Sequence, residues 1–147
     1  MGSGRILYIP HDHLNRGFGV LKDANPELDA VVFVESQRMV TGRPWHKERL
    51  FFLLSSARHF ARDLEAAGFS THYIQAPTTL DGLAKARSLL GDLPIHCAEP
   101  SSHRQFAQLK DAGLVFQQND FFLTPRALFT QWAETQKSYV MENFYRA

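Results

Sequence analysis

Acidic and imidazole side chains follow the first two apolar runs of the chain, where a sheet could gather them into one site. His11, Asp12 and His13 come directly after residues 5–10, and Glu35 ends the run 30–35. In an open parallel sheet, ligands bind at the carboxyl ends of the strands, near the point where the strand order reverses. We therefore expect Asp12 and Glu35 to converge on one rim of the sheet.

A metal site at residues 11–13 is one interpretation, because imidazole and carboxylate groups are ordinary ligands of zinc and iron. Adjacent side chains on an extended chain point away from one another, and no His-x-x-His or cysteine pair adds further ligands. We favour a polar loop that caps the strand, and we predict no metal there.

Covalent catalysis has little support in the sequence. There is no Gly-x-Ser-x-Gly turn, and the single cysteine, Cys97, lies in an apolar run where a thiol stays protonated and inert. Gly17 and Gly19 lack the third glycine and the Gly-Lys-Ser/Thr ending of a phosphate-binding loop. We therefore predict no catalytic residue.

A basic cluster marks the start of the longest predicted helix, and its members are Arg43, His46, Lys47 and Arg49, with Trp45 between them. Cations at a helix N-terminus oppose the helix dipole, at a cost of roughly a few tenths of a kcal/mol each. Two interpretations stay open. Either the cluster binds an anionic group, or it is a solvated face whose cost is offset by Glu48 and Asp63.

The elements that must position these groups alternate along the chain. Apolar runs rich in β-branched and aromatic residues predict five strands, at 5–10, 30–35, 71–75, 95–99 and 114–118. Helical spacing predicts helices at 46–67, 80–90 and 102–112, closed by Gly68, Gly91 and Gly113. The loop 15–29 has room for a further short helix. This alternation indicates an α/β fold with a mainly parallel five-stranded sheet.

Composition bounds the class of protein. With 147 residues, 44% of them hydrophobic, the chain can bury one ordinary core, so we expect a single domain. Sixteen Lys and Arg against fifteen Asp and Glu give a formal charge of +1, unlike a dedicated nucleic-acid module. One cysteine excludes an internal disulfide. We expect a cytoplasmic protein with no signal peptide and no membrane span.

Several short motifs occur in a definite order along the chain: Asp12-His13-Leu14, Glu35, His46-Lys47-x-x-Leu50, Leu54-Ser55-Ser56-Ala57-Arg58-His59-Phe60-Ala61, Glu99-Pro100, Trp132, and Met141-Glu142-Asn143-Phe144-Tyr145-Arg146. Together they resemble the bacterial deoxyribodipyrimidine photolyase-related proteins, the iron-sulfur branch of the photolyase and cryptochrome superfamily. Each motif alone is weak, but their order and spacing are specific and cover nearly the whole chain.

The resemblance implies a Rossmann-like three-layer sandwich at residues 5–125. It also implies that residues 126–147 form a C-terminal helix and the start of a linker to a FAD-binding helical domain that this chain lacks. In the family, that second domain carries FAD, an iron-sulfur cluster held by four cysteines, and the DNA-lesion site. This chain is therefore expected to be non-catalytic alone and to meet DNA only through the full-length protein.

In the family, the α/β domain can hold a light-harvesting antenna at the strand ends, a ribityl-lumazine such as 6,7-dimethyl-8-ribityllumazine. The resemblance implies a cofactor pocket formed by His11, Asp12, His13, Glu35, Met39 and Leu53, with Leu53 as its apolar wall. The family's Gly-Asp-Gln-Leu becomes His11-Asp12-His13-Leu14 here, so the ring that fits the pocket can differ.

Two functions of different classes stay open. The first is an antenna-type domain of a photolyase-related flavoprotein in light-dependent DNA repair or blue-light sensing. It predicts a concave pocket and an exposed apolar patch near Trp132, Phe144 and Tyr145. The second is a free-standing Rossmann-like small-molecule-binding protein or enzyme, which predicts a pocket with a poised acid-base pair.

Overall fold

One parallel sheet organises the protein, which a computed structural model describes over residues 4–146. Within these residues the sheet has five strands: β1 (Ile6–Tyr8), β2 (Ala30–Ser36), β3 (Ser70–Ala76), β4 (Ile95–Ala98) and β5 (Val115–Gln117). Their order is β3-β2-β1-β4-β5, and every neighbouring pair is parallel. The predicted five-stranded sheet is confirmed, and it is parallel throughout.

Helices connect the strands, and the described range contains six: α1 (Gln37–Thr41), α2 (Lys47–Ala66), α3 (Thr79–Leu90), α4 (His103–Asp111), α5 (Arg126–Ala133) and α6 (Met141–Tyr145). A 3-10 turn at Gly19–Leu21 lies in the loop between β1 and β2. The three long predicted helices are confirmed as α2, α3 and α4. Of the predicted C-terminal segment 126–147, residue 147 lies outside the described residues.

Both faces of the sheet are covered, because successive side chains of a strand point to opposite sides. On one face the buried residues of β1, β2 and β4 pack against Leu83 of α3 and Leu109 of α4. On the other face, Phe33 packs with Ala61 and Leu64 of α2. A parallel sheet needs this double cover to bury its apolar strands. The result is a Rossmann-like three-layer α/β fold.

The close approach of α3 to the sheet depends on Gly82. A Cβ atom added there would lie 2.3 Å from Cγ1 of Val34, a residue of β2 that is buried in the core. Only glycine therefore lets the first turns of α3 pack this tightly on β2. This contact fixes where α3 begins relative to the carboxyl ends of the strands.

The strand order reverses at β1, because the chain passes from β1 to β2 and β3 and then returns to β4 on the other side of β1. Such a reversal separates the connections that leave neighbouring strands and opens a crevice at their carboxyl ends. No helix within residues 4–146 combines the length and the apolar composition needed to cross a bilayer.

Candidate functional site

A cavity of about 730 Å³ opens at the carboxyl ends of β1 and β2. It lies on the α3 and α4 side of the sheet, since Tyr8 and Val34 of that core line it. Thr78 and Ser102, the N-cap residues of α3 and α4, also line it. A cavity of this size can enclose a ligand as large as a drug or a mononucleotide.

Four of the six predicted pocket residues line this cavity: His11, Asp12, Met39 and Leu53. They come from three elements, namely the turn after β1, helix α1 and the second turn of α2. The N-terminal part of α2 reaches over the strand ends, whereas its C-terminal part packs on the opposite face of the sheet. The turn after β1 and two helices thus bring together residues separated by 42 positions in sequence.

His11 lines the cavity and has one buried nitrogen without a hydrogen-bond partner among the described residues. This nitrogen is Nε2, and it is shielded from solvent. Burial lowers the pKa of His11 below its ordinary value, although the charges of Glu35 and Asp12 oppose this shift. The imidazole is therefore neutral near pH 7. Because Nε2 has no accessible surface, it is turned away from the open part of the cavity.

Glu35 does not line the cavity, although its charge and that of Asp12 both act on His11. It stands between Val34 and Ser36, which line the cavity, so alternation along the strand turns its side chain to the other face. There its carboxylate accepts hydrogen bonds from Tyr73 Oη at 2.7 Å and from Arg58 Nη2 at 2.8 and 2.9 Å. The structure thus gives Glu35 a fixed set of protein partners.

The hydrogen bonds around Glu35 decide its ionisation. Burial raises the pKa of Glu35, but the hydrogen bonds from Arg58 and Tyr73 outweigh burial and hold the net pKa below its ordinary value. The carboxylate is ionised near pH 7 and joins β2 to α2 and β3. Its role in this arrangement is to hold three elements together beside the cavity.

His13 also lies outside the cavity. Its amide donates to Pro10 O at 2.9 Å, and this tight turn returns the chain to the sheet. The ring is 5% exposed and stacks on Phe121 with a centroid distance of 4.6 Å. His13 thus packs the loop after β1 against the loop after β5.

Arginines surround the cavity more densely than the sequence suggested, and the four that line it are Arg38, Arg43, Arg49 and Arg104. The sequence placed Arg43 and Arg49 in a basic cluster but gave no reason to single out Arg38 or Arg104. The available signal for Arg104 was its position in the first turn of the helix that follows the fourth strand. In the described part of the chain, none of the four pairs with a carboxylate.

Trp45 fixes the arginine-rich wall of the cavity. Its Nε1 donates to Met39 O at 2.7 Å, which joins the loop before α2 to α1. The guanidinium carbon of Arg43 lies 3.7 Å from the centroid of the Trp45 ring, and that of Arg49 lies at 5.5 Å. Cation-π contacts of this kind restrain an arginine whose end would otherwise be mobile.

The lining can bind a ligand through apolar contacts, hydrogen bonds and positive charge. Met39 and Leu53 supply apolar contacts, and the four arginines supply positive charge and hydrogen-bond donors. Elsewhere, burial raises the pKa of the Cys97 thiol, as expected for an inert cysteine. No group of three or more metal-ligating side chains occurs within residues 4–146.

Comparison with known proteins agrees with the motifs and the fold. Residues 7–147 match the model of the family described as deoxyribodipyrimidine photo-lyase-related protein. A (6-4) photolyase of Agrobacterium fabrum (strain C58 / ATCC 33970) is 27% identical over 158 aligned residues, which cover 97% of this chain and 30% of that photolyase. The chain therefore spans less than a third of the length of this relative. It belongs to the family of deoxyribodipyrimidine photolyase-related proteins.

Proposed function

We propose that the chain is the N-terminal α/β module of a larger photolyase-related flavoprotein, and that it binds a light-absorbing ring ligand in the cavity above β1 and β2. The observation that carries the proposal is the cavity itself, in which His11, Asp12, Met39 and Leu53 meet. These are positions that the family resemblance associates with an antenna chromophore. The ligand class we propose is a ribityl-lumazine such as 6,7-dimethyl-8-ribityllumazine, or a similar ring.

The lining suits a flat heteroaromatic ring. The apolar side chains of Met39 and Leu53, which are both partly exposed, can contact the faces of a ring. Ligand pockets generally combine an apolar lining with a few polar groups.

In this proposal, light repair or light sensing belongs to the full-length protein. FAD, the iron-sulfur cluster and the DNA contacts would reside in the part of the photolyase that this chain does not span, and the antenna would pass its excitation to the flavin. This chain would supply the antenna site and no bond-making step of its own.

An exposed apolar patch on α5 and α6 supports the presence of a neighbouring domain. Phe129, Trp132 and Phe144 form an aromatic cluster with centroid distances of 5.0 to 5.6 Å. Next to the cluster in sequence, Leu128 is 52% exposed and Tyr145 is 77% exposed. Exposed apolar patches often mark interaction sites, and we assign this one to the flavin-binding helical domain.

The proposal is tested by titrating the purified chain into 6,7-dimethyl-8-ribityllumazine and following the polarisation of its fluorescence. Leu53→Trp places a bulky ring in the cavity wall and should weaken binding by about tenfold or more. Leu89→Trp is the matched control, because Leu89 lies near the end of α3 and is 68% exposed. Failure of lumazine to bind, or equal binding by both variants, would contradict the proposal and favour the free-standing alternative with a different ligand.

A further inference from the structure

The charge around the cavity is strongly one-sided. Four guanidinium groups line it, against the single carboxylate of Asp12 among the described lining residues. The chain as a whole carries a formal charge of only +1. The lining therefore carries an excess of positive charge while the chain as a whole is nearly balanced, and an excess of one sign in a cleft attracts ligands of the opposite sign.

The arginines are free to bind a ligand. Within residues 4–146, Arg38, Arg43, Arg49 and Arg104 form no ion pair, whereas Arg5 and Arg58 each pair with a carboxylate. Stacking on Trp45 occupies the face of the Arg43 guanidinium. The N–H groups lie in the plane of the guanidinium, so stacking leaves them available to an anion.

Helix α4 adds a favourable dipole to the same place. Its N-cap residue Ser102 and its first-turn residue Arg104 line the cavity, and the first turn contains no acidic residue. The N-terminus of a helix carries a partial positive charge and unpaired N–H groups. By contrast, Asp81 in the first turn of α3 is occupied by the cap that it forms with Thr78. The charged side of the cavity thus lies towards α1, α4 and the start of α2.

We propose that the cavity selects an anionic ring ligand, in which the ring lies against Met39 and Leu53 and a phosphate or carboxylate group is held by the lining arginines. This inference rests on the proposed function and goes beyond it, because it adds an anionic group as a requirement for tight binding. The ribityl chain of 6,7-dimethyl-8-ribityllumazine is neutral. The shared chemistry of the accepted ligands is a flat heteroaromatic ring with a flexible arm that ends in an anion.

The mixed lining of the cavity favours a small ligand over a nucleic-acid backbone. The four arginines are exposed, and they line the cavity together with the apolar side chains of Met39 and Leu53. A backbone-binding surface instead combines basic residues over an extended groove or patch. The anion that fits here is therefore one terminal group on a molecule of cavity size.

The test compares riboflavin with riboflavin 5′-phosphate, which share a ring and differ in one phosphate. Flavin fluorescence is followed as the chain is titrated in. We expect the phosphate to tighten binding by about tenfold or more in low salt, and we expect this preference to shrink as salt rises from about 0.05 M to about 0.5 M. Equal affinities for the two flavins, or no binding of either, would overturn the inference.

Arginine variants locate the preference. In Arg43→Gln/Arg49→Gln, the preference for the phosphate over riboflavin should fall to about twofold or less. The control is Arg62→Gln, since Arg62 is an exposed residue of α2 that does not line the cavity and lies 13 residues beyond Arg49. Equal losses in the double variant and in Arg62→Gln would mean that general charge causes the preference, and the inference would be wrong. A circular dichroism melt of each variant confirms folding.

Lumazine and a short single-stranded oligonucleotide complete the design. If lumazine binds in the cavity but the two flavins do not differ, the proposed function stands and the anion inference fails. The oligonucleotide and a mixture of inorganic phosphate and riboflavin are each used to displace riboflavin 5′-phosphate. If the oligonucleotide displaces it at the lower concentration, the arginines bind a nucleic-acid backbone, and the inference is again overturned. Phosphate-dependent flavin binding that resists the oligonucleotide supports it.

Discussion

The carboxylate of Glu35 and the guanidinium of Arg58 are joined by three hydrogen bonds of 3.0, 2.8 and 2.9 Å. The same carboxylate accepts a hydrogen bond from Tyr73 at 2.7 Å and one from Gln75 at 3.0 Å. This network ties α2 to β2 and β3, on the face of the sheet opposite the cavity. It holds α2 in place, and the N-terminal turns of α2 contribute Arg49 and Leu53 to the cavity wall.

Replacing Glu35 should therefore reduce stability more than ligand binding. Glu35→Gln removes the charge that Arg58 and Tyr73 pair with, and we expect the free energy of unfolding to fall by about 1–2 kcal/mol, a value limited by the half-exposed Arg58. Glu48→Gln removes an exposed carboxylate from α2, the helix that carries Arg58. It should change the free energy of unfolding by about 0.5 kcal/mol or less. Urea unfolding measures both. Loss of lumazine affinity at unchanged stability would show instead that Glu35 belongs to the ligand site.

The lowered pKa of Glu35 predicts how stability depends on pH. A carboxyl group whose pKa is lower in the folded than in the unfolded state contributes stability above its unfolded value, here 4.5, and loses it as pH falls through the folded pKa. Asp29, paired with Arg5, follows the same rule. Urea unfolding from neutral to acidic pH should therefore show a smaller loss of stability for Glu35→Gln than for the wild type. Parallel curves would contradict the assignment.

Gly82 offers a test of the contact that positions α3. An alanine in a helix is ordinarily more favourable than glycine, but here its Cβ would meet Val34 at 2.3 Å. We expect Gly82→Ala to destabilise the protein by about 1–3 kcal/mol. Ser88→Ala, at an exposed position of α3, should stay within about 0.5 kcal/mol of the wild type. A double-mutant cycle with Val34→Ala should show that the smaller side chain relieves part of the loss.

His11 should act on the ligand rather than on the fold. His11→Ala removes an imidazole that lines the cavity and whose Nε2 has no partner within the described residues, so the loss of that nitrogen costs no protein hydrogen bond. We expect lumazine affinity to fall by about tenfold while the free energy of unfolding changes by less than about 1 kcal/mol. His59→Ala, on the exposed face of α2, is the control. A large loss of stability without loss of affinity would make His11 a packing residue.

The fold could be predicted from the sequence because each strand and each long helix has its own local sequence signal. The apolar runs locate the strands, and Gly68, Gly91 and Gly113 adopt positive φ angles of 91°, 87° and 75° at the helix ends. The strand ends also indicated the region of the cavity. Met39 and Leu53 are expected there through the family resemblance, whereas nothing in the sequence singles out Arg104.

Glu35 and His13, which were expected in the cofactor pocket, lie outside the cavity for two physical reasons. The run 30–35 is buried on both faces, so its hydrophobicity has no two-residue period to show which way Glu35 points. His13 is covered by Phe121, which lies 108 residues further along the chain, and a contact of that separation has no local signal. The exposed Arg38 likewise gave no sign that it borders the cavity.

The most direct test of the account is a nuclear magnetic resonance titration of the nitrogen-15-labelled chain with 6,7-dimethyl-8-ribityllumazine. The amide signals of His11, Met39, Leu53 and Ser102 should shift most, and their shifts should saturate together, as expected for one binding site. The amide signals near Arg58 and Tyr73 should shift least. If the largest shifts instead cluster around Glu35 and Arg58 or on α5 and α6, or if no signal moves at the solubility limit of the ligand, the cavity does not bind the chromophore.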